Sequence, residues 1–195
     1  MRNSKTNIVL IGMPGVGKST VGVLLAKALS RGFLDTDVYI QAKEGRTLQE
    51  IIDREGAEAF CRIEERRVRS LMVRSSVIAT GGSVVYSPAA MAHLRASGTV
   101  IHLDLDLPSL RKRLKNLSTR GVVMVPGMNL EHLYAERRPL YRKYADLTID
   151  CAGSSHEDMV RKIVRGLKRL ASLPPGEAAP QRGKRGKRGK LRGPS

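Results

Sequence analysis

The chain has 195 residues, 41% of them apolar and 27% charged, which suits one folded domain and excludes a disordered or fibrous chain. It carries a net charge of +17, which points to anionic ligands, and it contains no Trp and only seven aromatic residues, so aliphatic packing must build the core. Its N-terminal apolar run of four residues is too short for a signal peptide, and no stretch has the length of a membrane span. Cys61 and Cys151 offer neither a disulfide framework nor a metal-ligand spacing, so a reduced, cytoplasmic setting is expected.

In chain order, the apolar run 7–11 reads as a buried strand. It opens directly into Gly12-Met13-Pro14-Gly15-Val16-Gly17-Lys18-Ser19, followed by the helical stretch 20–27. Strand, loop and helix match the phosphate-binding pattern G-x-x-x-x-G-K-[ST] at every fixed position. Glycines let consecutive backbone N–H groups converge on a phosphate, and the helix adds its positive end. Lys18 then reaches the β- and γ-phosphates of a bound nucleoside triphosphate, while the Ser19 hydroxyl ligates Mg²⁺.

Residues 32–37 read as a short strand ending in two carboxylates, Asp35 and Asp37. Asp is also common in plain strand-end turns, which is the ordinary alternative here. Thr47-Leu48-Gln49-Glu50 is a capping box starting a helix towards Arg54, and a longer helix follows over 57–72 with Phe60, Ile63, Val68 and Leu71 apolar. Residues 77–80 form a short buried strand that breaks at Gly81-Gly82. Ser87-Pro88 opens a helix ending near Gly98, and 99–105 is the next strand.

A basic helix over 109–117 leads into 118–128, whose Gly and Pro punctuation suits a moving loop. Asn129 caps a helix carrying Leu130, Leu133 and Tyr134, and 147–150 is a last strand. Ser154-x-x-Glu157 caps a final helix with Met159, Val160, Ile163, Val164, Leu167 and Leu170 on one face. Strands alternating with helices predict an α/β fold, a parallel sheet in a three-layer α/β/α sandwich, over 1–173. In such folds ligands bind beyond the carboxyl ends of the strands, which gathers the glycine loop, the Asp35/Asp37 pair and Gly81-Gly82 in one cleft.

The remainder, 174–195, repeats Arg-Gly-Lys with seven basic residues and one acid, leaving about +11 for the rest of the chain. It lacks the apolar residues needed to fold alone and reads as a disordered, solubilising tail. Salt-sensitive contact with nucleic acid is its sharper reading, though no aromatic residue is there to stack on bases.

Five of these features together resemble the shikimate kinase family over about residues 7–170. They are the glycine loop, Asp35-x-Asp37, Phe60-x-x-Ile63-Glu64, Thr80-Gly81-Gly82 and Arg137-Arg138-Pro139-Leu140-Tyr141. The resemblance implies that Gly12, Gly15, Val16, Gly17, Lys18, Ser19 and Thr20 bind the phosphates of ATP, and that Ser19 and Asp35 hold Mg²⁺. It further implies Asp37 as the base at the acceptor hydroxyl, Arg113 stacked on adenine, Arg120 in a closing lid, and Arg137 on the acceptor's carboxylate. The acceptor would be a small hydroxy acid or amino acid, and the protein a monomer. Phosphoryl transfer asks for charge neutralisation and in-line positioning, which this set supplies.

Three departures from that family's pattern fall on the acceptor side. Cys61 stands where the pattern has an arginine that clamps shikimate's carboxylate, Ser83 follows Gly81-Gly82 in place of a third glycine, and the lid reads Arg120-Gly121-Val122-Val123. Losing one partner of a buried charged pair costs about 2–5 kcal/mol, a factor of about 30 or more in affinity. Arg62 points roughly 100° away around the helix and is not expected to compensate. Glu64, one turn beyond Cys61, is then expected to be an unpaired carboxylate facing the cleft, beside the ordinary reading of a solvated helix face. With Cys61, Glu64, Gly81, Gly82, Asp37 and Arg137 lining it, the pocket suggests L-homoserine as acceptor. Shikimate is the alternative, and a nucleotide-responsive RNA-binding protein is a reading from another class. Cys61 itself reads more simply as a small packing residue. The four histidines show no metal spacing, so no role is expected of them.

Overall fold

The strand Asn7–Ile11 (β1) is buried along its whole length, because both faces of a parallel sheet are covered by helices and no polar side is needed. The structure, a computed structural model, describes residues 6–117 and 129–172. Around β1 run Gly32–Asp35 (β2), Ser76–Ala79 (β3), Gly98–Asp104 (β4) and Leu147–Asp150 (β5), all parallel, in the order β2-β3-β1-β4-β5. β1 is in register with Val77, Ile78 and Ala79 on one side and with residues 98–102 on the other.

From β1 to β2 the chain moves one way across the sheet, and thereafter it moves the other way. Right-handed crossovers therefore put Lys18–Ala28 (α1) on one face and Leu48–Arg69 (α3), Pro88–Ser97 (α4), Leu107–Leu117 (α5) and Leu130–Tyr144 (α6) on the opposite one. His156–Ala171 (α7) returns to pack on α1, and Thr36–Glu44 (α2) packs on α3. The α/β fold with helices on both faces of a parallel sheet is the one expected. The sheet's strands and the inner helix faces form the main core, with Leu10, Ile11, Ile78, Ile101 and Leu103 almost wholly buried. A second, separate apolar cluster joins Ile40, Ile51, Phe60 and Ile63, with Leu48, Ile52 and Cys61 against it. Among the described residues no helix is long and apolar enough to cross a membrane.

Two local readings are corrected. Asp37 does not end a strand: β2 stops at Asp35, whose carboxylate accepts from the backbone N–H of Asp37 and of Val38 and starts α2 at Thr36. The two helices expected around 47–54 and 57–72 are both present within α3, separated at Gly56, whose φ 84° and ψ 165° are not helical, and the second ends at Arg69. The Thr47/Glu50 capping box is present as expected. The last helix is capped one residue later than the sequence suggests, by a Ser155/Asp158 box. Ser154 is otherwise engaged, its hydroxyl donating to the Ala152 carbonyl and accepting from Lys162. The expected moving loop 118–128 and the tail 174–195 lie outside the described residues.

Candidate active site

The phosphate side is made mostly of backbone. Gly12, Gly15 and Gly17 all have positive φ, and a β-carbon on Gly12 would lie 2.7 Å from the Leu103 carbonyl oxygen, so glycine alone lets the loop turn over β4. Lys18 folds back across the loop and donates from Nζ to the carbonyls of Gly12 (2.8 Å) and Met13 (3.0 Å). Burial lowers its pKa to about 8, opposed chiefly by the charges of Asp37 and Asp35. Ser19 Oγ donates to Asp35 Oδ2 at 2.6 Å, so the two residues expected to share a metal stand side by side in an exposed position. Thr20 is exposed beside them, whereas Val16 is buried and its carbonyl accepts from Arg113 Nη1 (2.9 Å). His156, of which no role is expected, lies against Gly17. A β-carbon on Gly17 would be 3.2 Å from His156 Nε2 and 3.9 Å from Arg113 Nη1.

One hydroxyl and one carboxylate are hard oxygen donors suited to Mg²⁺, which is held by few protein ligands and completes its shell with water and phosphate oxygens. Among the described residues no cluster of three or more His, Cys, Asp or Glu could cage a metal by itself. The Ser19–Asp35 pair therefore fits an ion that arrives with a nucleotide.

The acceptor side is made of side chains brought together from four elements. Asp37, in the first turn of α2, has its Oδ1 buried without a donor, and burial with the nearby Asp35 charge raises its pKa to about 6 against the pull of Lys18. Glu64 of α3 is only 2% exposed. Its Oε2 accepts from Ser83 Oγ (2.7 Å) while Oε1 is buried without a donor. Burial raises its pKa to about 7, the Ser83 hydrogen bond working against this and Asp37 adding to it. Both bare oxygens face the same backbone step. A β-carbon on Gly81 would collide with Glu64 Oε1 and lie 2.8 Å from Asp37 Oδ1. On Gly82 it would lie 3.0 Å from Arg137 Nη1 and 3.1 Å from Pro14 of the phosphate loop.

Hydrogen bonds pin that step. The Gly81 N–H donates to Thr36 Oγ1 (3.0 Å), and the Gly82 carbonyl accepts from Tyr141 Oη (2.7 Å). Arg137 of α6 is buried, donates from Nε to Tyr86 Oη (3.0 Å) and sits over that ring at 5.0 Å. Cys61 is half-buried against the small cluster, and burial followed by the Glu64 charge pushes its thiol up, which suits the packing role and not a nucleophile.

The structure thus draws Lys18, Ser19, Asp35, Asp37, Glu64, Gly81, Gly82 and Arg137 into one cleft at the carboxyl end of the sheet, with Arg113 at its loop-side margin. Arg120 lies outside the described residues. Two expectations for Glu64 fail. It is not on a solvated face, and it is not unpaired, because Ser83 holds one oxygen. Sequence reasoning also missed Thr36, Tyr86 and His156. For Ser83 the signal was available: it replaces a glycine at the point where a carboxylate had lost its expected partner.

A glycine loop after the first strand of a parallel sheet, a lysine folded over it, a serine–aspartate pair and a second polar pocket across a glycine step define a P-loop small-molecule kinase. Comparison with known proteins narrows the class. The family model described as shikimate kinase matches residues 14–168. A shikimate kinase from Thiobacillus denitrificans is 39% identical over 164 residues, spanning 83% of this chain and 90% of that one. One from Mycobacterium tuberculosis is 38% identical over 174 residues, spanning 88% and 97%. Among solved structures, shikimate kinase from Acinetobacter baumannii in complex with shikimate has a TM-score of 0.79 at 30% identity, covering 88% of this chain and 97% of that one. The Aquifex aeolicus shikimate kinase has a TM-score of 0.73, also at 30% identity, covering 85% and 98%. The chain belongs to the shikimate kinase family, and is an ATP-dependent small-molecule kinase with an alcohol acceptor.

These relatives overturn the homoserine expectation, since they and the matching family model are named for shikimate. The physical premise of that expectation fails as well. A carboxylate already bound by Ser83, buried, and with its pKa raised to about 7 is a poor anionic seat for an ammonium group.

Proposed function

We propose that this protein transfers the γ-phosphate of ATP to a hydroxyl of shikimate. The observation that carries the reading is the convergence of Lys18, Asp37 and Arg137 around the Gly81-Gly82 step. These are a phosphate-side cation, a carboxylate with one buried oxygen and a buried guanidinium. The likeness to shikimate kinases supplies the acceptor.

In this reading the backbone of Gly12, Gly15, Val16, Gly17 and Thr20, together with Lys18, cradles the phosphates. Ser19 and Asp35 hold Mg²⁺, which supplies charge neutralisation at the phosphate oxygens. Asp37 accepts the proton of the attacking hydroxyl. Its pKa of about 6 leaves it ionised at pH 7 yet more basic than an ordinary aspartate, which suits a general base. Arg137 receives the carboxylate of the acceptor, and Cys61 brings no second charge to it. Glu64 closes the pocket wall behind Gly81. Arg113 borders the nucleotide base, and Arg120 approaches the transferring phosphate, a role resting on the family resemblance alone.

The test is ADP release with ATP, Mg²⁺ and a wide range of shikimate. Saturable turnover is expected, falling at least a hundredfold in kcat for Asp37→Asn, about the loss of one general base. Absence of turnover with shikimate overturns the reading.

A further inference from the structure

We propose that the 3₁₀ turn Val84–Tyr86 with its N-cap Ser83 is the positioning element of the acceptor pocket, Ser83 Oγ fixing Glu64 and Tyr86 Oη fixing Arg137. The proposal deepens the functional reading above and rests on it for the identity of the acceptor. Ser83 and Tyr86 are positioning residues, acting through the two charged groups they hold.

The turn is built to hold still. Val84 and Val85 are each 1% exposed and plug it into the main core, and it packs against α3, α4 and α6. The flanking residues are thereby aimed at α3 and α6, which carry Glu64 and Arg137. Ser83 Oγ donates to Glu64 Oε2 at 2.7 Å, leaving Oε1 against Gly81. Tyr86 Oη accepts from Arg137 Nε at 3.0 Å. A guanidinium N–H can only donate, so the Tyr86 oxygen is the acceptor and the direction of the bond is fixed. The ring beneath the guanidinium, 5.0 Å away, restricts it to one plane. Held by Nε, Arg137 turns its Nη1 towards Gly82, at the step where phosphate loop and acceptor pocket meet.

Position 61 explains why such a device is needed here. Cys61 lies one helical turn before Glu64, on the same side of α3, and carries no donor able to orient a carboxylate. A buried carboxylate left without any donor is expensive, and Ser83 answers that from across the pocket. The two positions should therefore be coupled. An arginine at 61 reaches Glu64 at i+3 and makes the serine redundant.

Four variants test this: Tyr86→Phe, Ser83→Ala, Cys61→Arg, and Cys61→Arg combined with Ser83→Ala. Tyr86→Phe keeps the ring and removes only the acceptor of the Arg137 bond, so it should raise the shikimate KM about tenfold. The KM for ATP should stay within about twofold, since nothing on the phosphate side is touched. Ser83→Ala should lower kcat/KM for shikimate about tenfold in the parent chain, and less than about twofold when Cys61→Arg is present. ¹⁵N NMR of the Arg137 Nε–H supplies a readout independent of catalysis: slow solvent exchange in the parent and fast exchange in Tyr86→Phe. Equal penalties for Ser83→Ala in both backgrounds, or an Arg137 Nε–H unchanged by Tyr86→Phe, overturn the proposal. Inert shikimate with the NMR result as expected keeps the turn's role and discards the acceptor.

Discussion

The two halves of the cleft are built from different materials. On the phosphate side, eight consecutive residues present backbone groups, and the loop's own Lys18 folds back over them to bond to its carbonyls. On the acceptor side nothing is contiguous. Asp37, Glu64, Gly81, Ser83, Tyr86 and Arg137 come from α2, α3, the strand end after β3, the 3₁₀ turn and α6. A backbone site tolerates change only at positions without a glycine requirement, whereas a side-chain site can be re-partnered one residue at a time. The Ser83 bond to Glu64 is a partnership of that kind.

The largest break in this contrast is expected at Lys18. Lys18→Ala should lower kcat/KM at least about a thousandfold for every acceptor, because it removes a preorganised charge at the transferring phosphate. Next comes Gly81→Ala, whose β-carbon would strike Glu64 Oε1 and crowd Asp37 Oδ1. A displacement of both carboxylates by about 1 Å should cost on the order of a hundredfold in kcat, while ATP affinity by calorimetry stays unchanged. If ATP binding falls equally, the two sides are not separable. Arg137→Lys keeps the charge but loses the fork and the Tyr86 geometry, and should raise the shikimate KM about thirtyfold.

A smaller effect belongs to stability. The unfolded chain releases the Glu64 proton near the ordinary glutamate value of 4.5, and the folded protein only near 7. Folding therefore takes up a proton at Glu64 between those values, and the Glu64 contribution to stability falls as pH rises through that window. Glu64→Gln should flatten this slope, by on the order of 1–3 kcal/mol between pH 4.5 and 7, in urea melts of the ligand-free protein. Smallest is Gly45→Ala. Gly45 ends α2 at φ 65° with open space around it, so the substitution should cost about 1 kcal/mol of stability and leave kinetics alone.

What was legible in the sequence follows the same division. The loop could be read because its physics requires glycines at fixed spacing, and the parallel sheet because its strands are short apolar runs between helices. The α2 start could not be read from periodicity: it depends on the Asp35 carboxylate turning back on two backbone N–H groups. The Cys61 departure is visible in the sequence, but its consequence is not: neighbours along α3 do not reveal the partner of Glu64, Ser83, which lies 19 residues away on another element. Tyr86 leaves no trace in the pattern, since a tyrosine before Ser-Pro looks like loop filler until α6 folds over it.

The small apolar cluster of Ile40, Ile51, Phe60 and Ile63 has one more consequence. It is separate from the main core and joined to it through the second half of α3, which carries Phe60 and Ile63 of the small cluster and Val68 of the main one. Such a unit opens on its own, so amides of α2 and the first half of α3 should exchange with solvent well before those of β1. The protein then has two melting grains, a durable one under the phosphate loop and a softer one under the acceptor. Repacking the softer grain leaves the sheet untouched, which gives a family built on this plan room to change what it phosphorylates while keeping what it phosphorylates with.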